Sequence, residues 1–394
     1  MGSVGHVPAL ITRDATADDL DALIELRARS FGLMSSSERE EWKVSVAVAV
    51  EDRRYLVVVD GHRVVAGARV WDFGQWWCGR AVAMGGIGGV VVDPEYRGRG
   101  AATLLMRSVL VRCRELGLVV SALYPASVPV YRKIGYEFGG GRHRYSFLAD
   151  EVRRLGPGPT ATRRATESDA ERLLELAGQT RSRGAESGPV VWPRREVRQW
   201  LDEEETFAYL AEDGFVVYRW SDADLTVDEL IALSPETTRT LWGLVGSGAS
   251  IAEQVHAYVA PYDPIHLLLG REAAKATEVQ RWMLRLIDAP AAIAARGWPA
   301  GVAVDVRLQL DDADVPENAG GWRLQVAAGA GKLVPDADDS EALRLGARGL
   351  AALYAGTPLA TLRLAGLATA GSPTSDAQLD TAFAGAVSFM LDYF

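Results

Sequence analysis

Apolar and polar positions follow the same order twice along this chain. Residues 12–26 read TRDATADDLDALIEL and residues 162–176 read TRRATESDAERLLEL. Thr12/Thr162, Arg13/Arg163, Ala15/Ala165, Thr16/Thr166, Asp19/Asp169, Leu23/Leu173, Glu25/Glu175 and Leu26/Leu176 coincide without a gap. Each copy predicts a short extended segment running into an amphipathic helix, with Thr16 or Thr166 as N-cap. Further on, YLVVVDGHRVVAGARVW (55–71) has its counterpart in FAYLAEDGFVVYRW (207–220), a strand, an acidic-Gly turn and a second strand. Two matches in one order point to duplication of an α/β unit. Gly and Pro in LGPGPT (155–160) forbid regular structure and divide the copies.

A third unit follows the stretch ATEVQRWMLRLIDAPAAIAARGW (276–298), whose pattern predicts helix. Alternation of Val302, Val304, Val306, Leu308 and Leu310 predicts a half-buried strand, with WRLQV (322–326) as its hairpin partner. DSEALRLGARGLAALYAG (339–356) predicts helix, as does a last run toward the C-terminal DYF. Strands then helices after a mixed unit describe a separate α+β domain. Three domains agree with 394 residues at roughly 150 per domain.

Charge and composition narrow the partners. The net charge of −10 argues against nucleic acid and inclines toward an amine. Cys78 and Cys113 are the only cysteines, too few for a disulfide scaffold, and no spacing suggests a metal. No apolar run approaches the ~20 residues that cross a bilayer. The first residues, MGSVGHVPALITRD, lack the basic and apolar regions of a secretory signal. A soluble cytoplasmic protein without membrane partner is the expectation. The histidines at 6, 62, 143, 256 and 266 have no nucleophile to pair with, and His256 and His266 are expected in a packed interface or core.

Residues 84–110, MGGIGGVVVDPEYRGRGAATLLMRSVL, carry the chemistry. VVVD (90–93) predicts a buried strand, Pro94 stops it, and RGRGAA (97–102) turns into a helix. Unpaired first-turn N–H groups, the positive dipole end and the close approach allowed by Gly98 and Gly100 make an anion site. Arg97 and Arg99 add charge-assisted contacts to phosphate. The spacing fits neither a P-loop nor GxGxxG.

Arg-x-x-Gly-x-Ala after a strand resembles the acetyl-CoA motif of GCN5-related N-acetyltransferases (GNAT). The resemblance implies that Arg97, Gly98, Arg99, Gly100, Ala101 and Ala102 cradle the pyrophosphate of acetyl-CoA. It also implies that Val90, Val91 and Val92 offer backbone groups to the pantetheine and thioester. SALYPASVPVYRKIGYEF (121–138) looks like the family's final strand and helix, where a tyrosine, here Tyr131, reaches the sulfur. The doubled unit, the third domain and an aromatic last residue together resemble the Eis (enhanced intracellular survival) family. That likeness implies an α/β (α+β) chain of two tandem GNAT-type mixed-sheet domains, 1–154 catalytic and 160–289 without the acetyl-CoA motif. A sterol-carrier-protein-like α+β domain, 290–394, follows them. In that family the tyrosine ahead of the Gly-Tyr pair is the general acid, which maps onto Tyr131. The chain-terminal carboxylate, here of Phe394, enters the active site as base or amine orienter. Homo-oligomers, typically hexamers, are implied as well.

The second copy reads LSPETTRTLWG (233–243) where the first has VDPEYRGRGAA, so the Gly-Arg turn is lost and one active site per chain is expected. A tyrosine of unperturbed pKa about 10 can protonate a departing thiolate whose thiol lies near 8.5. Tyr136 is read as structural and Tyr124 as pocket-lining. Eis enzymes hold polycationic aminoglycosides with pocket acids, one beside the chain end. Here Tyr393 is penultimate, the acid moves to Asp392, and the loop 30–42 has no acid before Glu38. Phe31, Met34, Trp42, Trp71, Trp76 and Trp77 describe an aromatic acceptor pocket, with core filling as the plainer account of them. The small-molecule amine therefore ranges from an aminoglycoside-like antibiotic to a flatter drug or secondary metabolite. A non-catalytic acyl-CoA or lipid-binding protein, and a protein lysine acetyltransferase, are the competing readings.

Overall fold

The computed structural model describes residues 10–270 and 275–394; His6 and most of the N-terminal segment considered above lie outside them. The repeated sequence forms the same local structure in both copies. In the first, the Asp19 carboxylate accepts the Thr16 N–H at 2.8 Å and a two-pronged contact from Arg13 at 2.6 and 2.9 Å. In the second, Asp169 accepts from Thr166 N–H at 2.9 Å and from Arg163 at 2.7 and 2.8 Å. The coincident Arg, Thr and Asp are thus one capping device, which starts helix α1 (Leu20–Phe31) and the equivalent helix Ala170–Arg183.

The first unit adds α2 (Ser36–Glu51), α3 (Ala101–Glu115) and the short α4 (Val128–Arg132). Its strands are β1 (Leu10–Asp14), β2 (Tyr55–Asp60), β3 (Arg63–Trp77), β4 (Arg80–Val92), β5 (Val120–Leu123) and β6 (Glu137–Leu148). The second unit contributes β7 (Arg163–Arg164), β8 (Val190–Val191), β9 (Phe207–Ala211), β10 (Gly214–Ser221), β11 (Asp224–Ala232), β12 (Gln254–Tyr258) and β13 (Lys275–Leu286). The predicted strand–turn–strand pairs are β2–β3 and β9–β10, both antiparallel.

Two stretches predicted as helix are different. Residues 276–286 belong to strand β13, and helix resumes only at Ala289–Ala295. Strand β13 lies between β5 and β6, antiparallel to both. Trp282, Leu284 and Leu286 enter one core and Met283 and Ile287 another, so both faces are apolar and the alternation that marks a strand is lost. Strand β6 then pairs with β12 of the second unit, and one sheet runs on through β11, β10, β9 and β7. The linker 155–160 is irregular, yet the sheet crosses the division it marks.

The third unit has its own sheet, ordered β16-β15-β14-β17-β18, from β14 (Val304–Asp311), β15 (Gly320–Ala327), β16 (Ala330–Pro335), β17 (Leu343–Gly346) and β18 (Ala368–Ala370). The hairpin β14–β15 is as predicted, whereas 339–356 opens with strand β17 before the helix Ala347–Tyr354. The last helical run is Pro373–Phe383, and β19 (Phe389–Met390) follows it. Buried Arg285 of β13 joins the units. It donates to Asp312 at 2.6 Å and to the Ile134 carbonyl at 3.0 Å. Arg348 adds a fork onto Glu137 at 2.6 and 2.9 Å. Arg285→Met leaves Asp312 buried without its cation, and a loss of about 3–5 kcal/mol is expected, read as a lower midpoint of chemical denaturation.

Candidate active site

Parallel strands β4 and β5 hydrogen-bond only from Met84↔Val120 to Ile87↔Leu123. Beyond that point they part. Gly88, Gly89 and Val90 on one side, and Tyr124, Pro125 and Ala126 on the other, line a cavity of ≈280 Å³. On its far edge β4 carries a bulge against β3, where the register steps from Gly67↔Val91 to Arg69↔Gly88. Gly89 there has φ +60°. A bulge leaves a residue outside the ladder and re-aims its backbone groups. It begins at Gly89, slightly ahead of the 90–92 stretch expected. Val90 borders the cavity, Val91 is buried beneath the first helices, and Val92 packs toward the α3 core.

Buried Asp93 holds the turn after β4. Its carboxylate accepts from the Glu95 N–H, Arg63 and Arg29 at 3.2, 2.8 and 3.2 Å. Burial favours the neutral acid, but these donors win and keep the group below the usual carboxylate range. Helix α3 begins at Gly100, in the left-handed region at φ +87°, with no side chain capping it. A Cβ on Gly98 or Gly100 would meet nothing within 4 Å, and Arg97 and Arg99 are exposed. Ala101 is buried and Ala102 half-buried, so the first turn keeps a small, smooth surface. A bare helix N-terminus, an open glycine turn and exposed guanidiniums fit a pyrophosphate.

Tyr131 lies on α4, buried, in the ≈280 Å³ cavity. Burial, reinforced by Tyr393, pushes its pKa up to about 12. No protein hydrogen bond takes its hydroxyl among the described residues. Tyr136 instead is fully buried and bonded to Ser121 at 2.8 Å, the structural role expected.

The chain end enters the same cavity. Strand β19 pairs in parallel with Gly141 and Arg142 of β6. Arg142 donates to the Leu391 carbonyl, Tyr124 to the Asp392 carbonyl and Trp192 to the Asp392 carboxylate, each at 2.7 Å. The Phe394 ring packs edge-on to Phe73 and Tyr124, with centroids 5.2 and 5.8 Å away. A Cβ on Gly88 would sit 3.1 Å from the Phe394 carboxyl carbon, so glycine makes room for the terminus. Arg142 and Trp192 carried no sequence signal, because their partners are backbone and side-chain atoms some 200 or more positions away.

Phe394 also walls a second cavity of ≈440 Å³, which shares Phe31, Gly88, Gly89 and Tyr393 with the first. Phe31, Trp42 and Trp71 line it, and Tyr124 lines the first. Four expected pocket residues lie elsewhere. Met34 borders neither cavity, because it sits in the outer turn between α1 and α2. Asp392 is pulled by Trp192 toward a separate cavity with Trp200 and Glu229, where burial and Glu229 raise its pKa to about 7. Trp77 is core, and Trp76 packs beside Gly178 of the second unit.

Comparison with known proteins places this site within a known domain order. Residues 12–139 and 188–286 each match an acetyltransferase (GNAT) domain, and residues 289–391 match the sterol carrier protein domain. A GCN5-related N-acetyltransferase from Kribbella flavida has a solved structure that is 56% identical, with a TM-score of 0.97 over 100% of both chains. The chain belongs to the GCN5-related N-acetyltransferases. It is Eis-like in its domain order: N-acetyltransferase Eis of Mycobacterium tuberculosis is 27% identical over 94% of this chain and 96% of that one. An uncharacterized N-acetyltransferase of Streptomyces griseus is 29% identical over 71% of this chain and 73% of its own.

Only the first GNAT unit keeps an open helix N-terminus. In the second, Ser234 caps the helix Pro235–Gly246, accepting the Thr237 N–H at 3.2 Å. The linker lies over that end, with the Thr160 N–H on Thr240 at 3.3 Å, and Leu241 and Trp242 fill core. Gly88→Ala is expected to displace the Phe394 carboxylate while leaving the circular dichroism spectrum unchanged. Misplacement of that size should lower kcat about tenfold, followed by thiol release from acetyl-CoA.

Proposed function

We propose that this GNAT enzyme transfers the acetyl group of acetyl-CoA to the primary amine of a small molecule by direct attack, in the N-terminal unit. One observation carries the reading: the Tyr131 hydroxyl, the β4 bulge and the Phe394 terminus line a single cavity between the parted strands. Acetyl-CoA supplies the acetyl thioester. Arg97, Arg99 and the α3 N-terminus bind its pyrophosphate, and backbone groups of the bulge at Gly89 and Val90 polarise the carbonyl. The Phe394 carboxylate orients the incoming amine and takes its proton as the N–C bond forms. Tyr131 gives its proton to the sulfur as the C–S bond breaks. The dry surroundings that raise the pKa of Tyr131 raise that of the leaving thiol also, so burial does not by itself deny the thiolate its proton donor.

Tyr131→Phe should lower kcat about a hundredfold with acetyl-CoA binding retained. Because burial raises the Tyr131 pKa, the donor stays protonated through the working range and should cause no alkaline loss of rate below pH 10 or so. Adding one alanine after Phe394 should depress turnover comparably, since it moves the carboxylate. Acetyl-CoA binding with no turnover on an amine panel would support a binding protein instead, and label on protein would support lysine acetylation.

A further inference from the structure

We propose that the larger cavity contains an anion-recognition subsite built on Arg69, and that the acceptor amine also carries a carboxylate. The inference rests on the acetyl-transfer reading for what is acetylated, though not for what is bound. Arg69 projects from β3 at the bulge and is only 9% exposed. Its guanidinium lies on the Trp71 ring, 3.3 Å from the centroid. Nη1 donates to Ser45 Oγ at 2.7 Å, while buried Nε has no partner. No hydrogen bond or ion pair engages Nη2 among the described residues. The free Nε/Nη2 edge is the one that grips a planar carboxylate with two parallel bonds.

Other buried arginines here are satisfied. Arg285 has Asp312, Arg181 has Glu186 and Glu229, and Arg112 has Asp14 and Glu115. Arg296 lacks an acid but donates to the Gly297 and Tyr354 carbonyls. Arg69 has one hydroxyl. Glu196 and Asp52 reach it only through space, and both contact Arg195. Burial accordingly drives its pKa down to about 10, the mark of a cation short of counter-charge.

The cavity walls supply no compensating acid. Among the described residues Arg27 is a second cation without an ion pair, and the lining holds no Asp or Glu. Its negative group is the Phe394 terminus, and no ion pair joins that carboxylate to Arg69. Carboxylate at one station and guanidinium at another complement an ammonium and a carboxylate on one molecule. Phe31, Trp42 and Trp71 between them suit a flat apolar body. A polycation would meet Arg27 and Arg69 with nothing to neutralise them.

The test compares benzylamine, 4-(aminomethyl)benzoate, 3-(aminomethyl)benzoate and kanamycin as acceptors, read as kcat/KM from thiol release. At least one aminomethylbenzoate should exceed benzylamine about tenfold or more, and kanamycin should be poorest. In Arg69→Gln the ratio of carboxylate-bearing to neutral amine should fall to near one, and in Arg69→Lys to an intermediate value. Preference for benzylamine or kanamycin in the wild-type protein overturns the proposal without any variant, as does a ratio unchanged in Arg69→Gln. If no amine is acetylated, titration of tryptophan fluorescence with the same compounds decides. Carboxylate-selective quenching that Arg69→Gln abolishes keeps the subsite and removes only the acetyl-transfer reading; unselective quenching removes the subsite.

Discussion

Strand β6 takes its sheet partners from outside its own unit. Its N–H and C=O groups are paired by β13, β12 and β19, that is, by the second unit and by the last residues of the chain. Buried backbone groups must be paired, so the N-terminal unit is complete only when the whole chain has folded. This single demand explains why the parted strands, the tyrosine helix and the chain terminus arrive at one place. It also explains how a division visible at Gly156–Pro159 can be a division in sequence without being one in the sheet.

Duplication left two units with the same start and different ends. The Arg-Thr-Asp cap survives in both because it works within seven residues and serves helix initiation alone. The helix that follows the bulged strand has diverged. In the first unit glycine holds its N-terminus open, whereas in the second Ser234 accepts the Thr237 N–H and the linker packs on the Thr237 and Thr240 hydroxyls. An unpaired helix end is unfavourable unless water or a ligand meets it, and the second copy meets its own with Ser234.

Electrostatics within the site run against the protein's net charge. A chain of −10 surrounds a cavity beside Phe394 whose charged lining side chains, among the described residues, are Arg27 and Arg69. Surface charge sets the long-range field, while the few groups inside a low-dielectric cavity select the ligand. Asp392, the acid nearest the terminus in sequence, is turned out of this cavity by its bond to Trp192.

Local chemistry was readable from the residues alone. The caps, the β2–β3 and β14–β15 hairpins, the open turn at Arg97–Ala102 and the position of Tyr131 depend on neighbours a few residues apart. Strand β13 was misread as helix because neighbours on both faces bury it, and those neighbours come from the first and third units. Met34, Trp76 and Asp392 lie away from the expected pocket, and Trp77 fills core as its plainer account had it, for a related reason: a side chain near a site in sequence can face core or any of several cavities. The sequence by itself determined which helix end is bare and which tyrosine belongs to the short helix that lines the cavity. Only the tertiary structure decided that the Phe394 terminus lies against Gly88 and that Arg69 stands without an acid, because the first depends on β19 joining β6 and the second on which side chains α2 and β3 bring together.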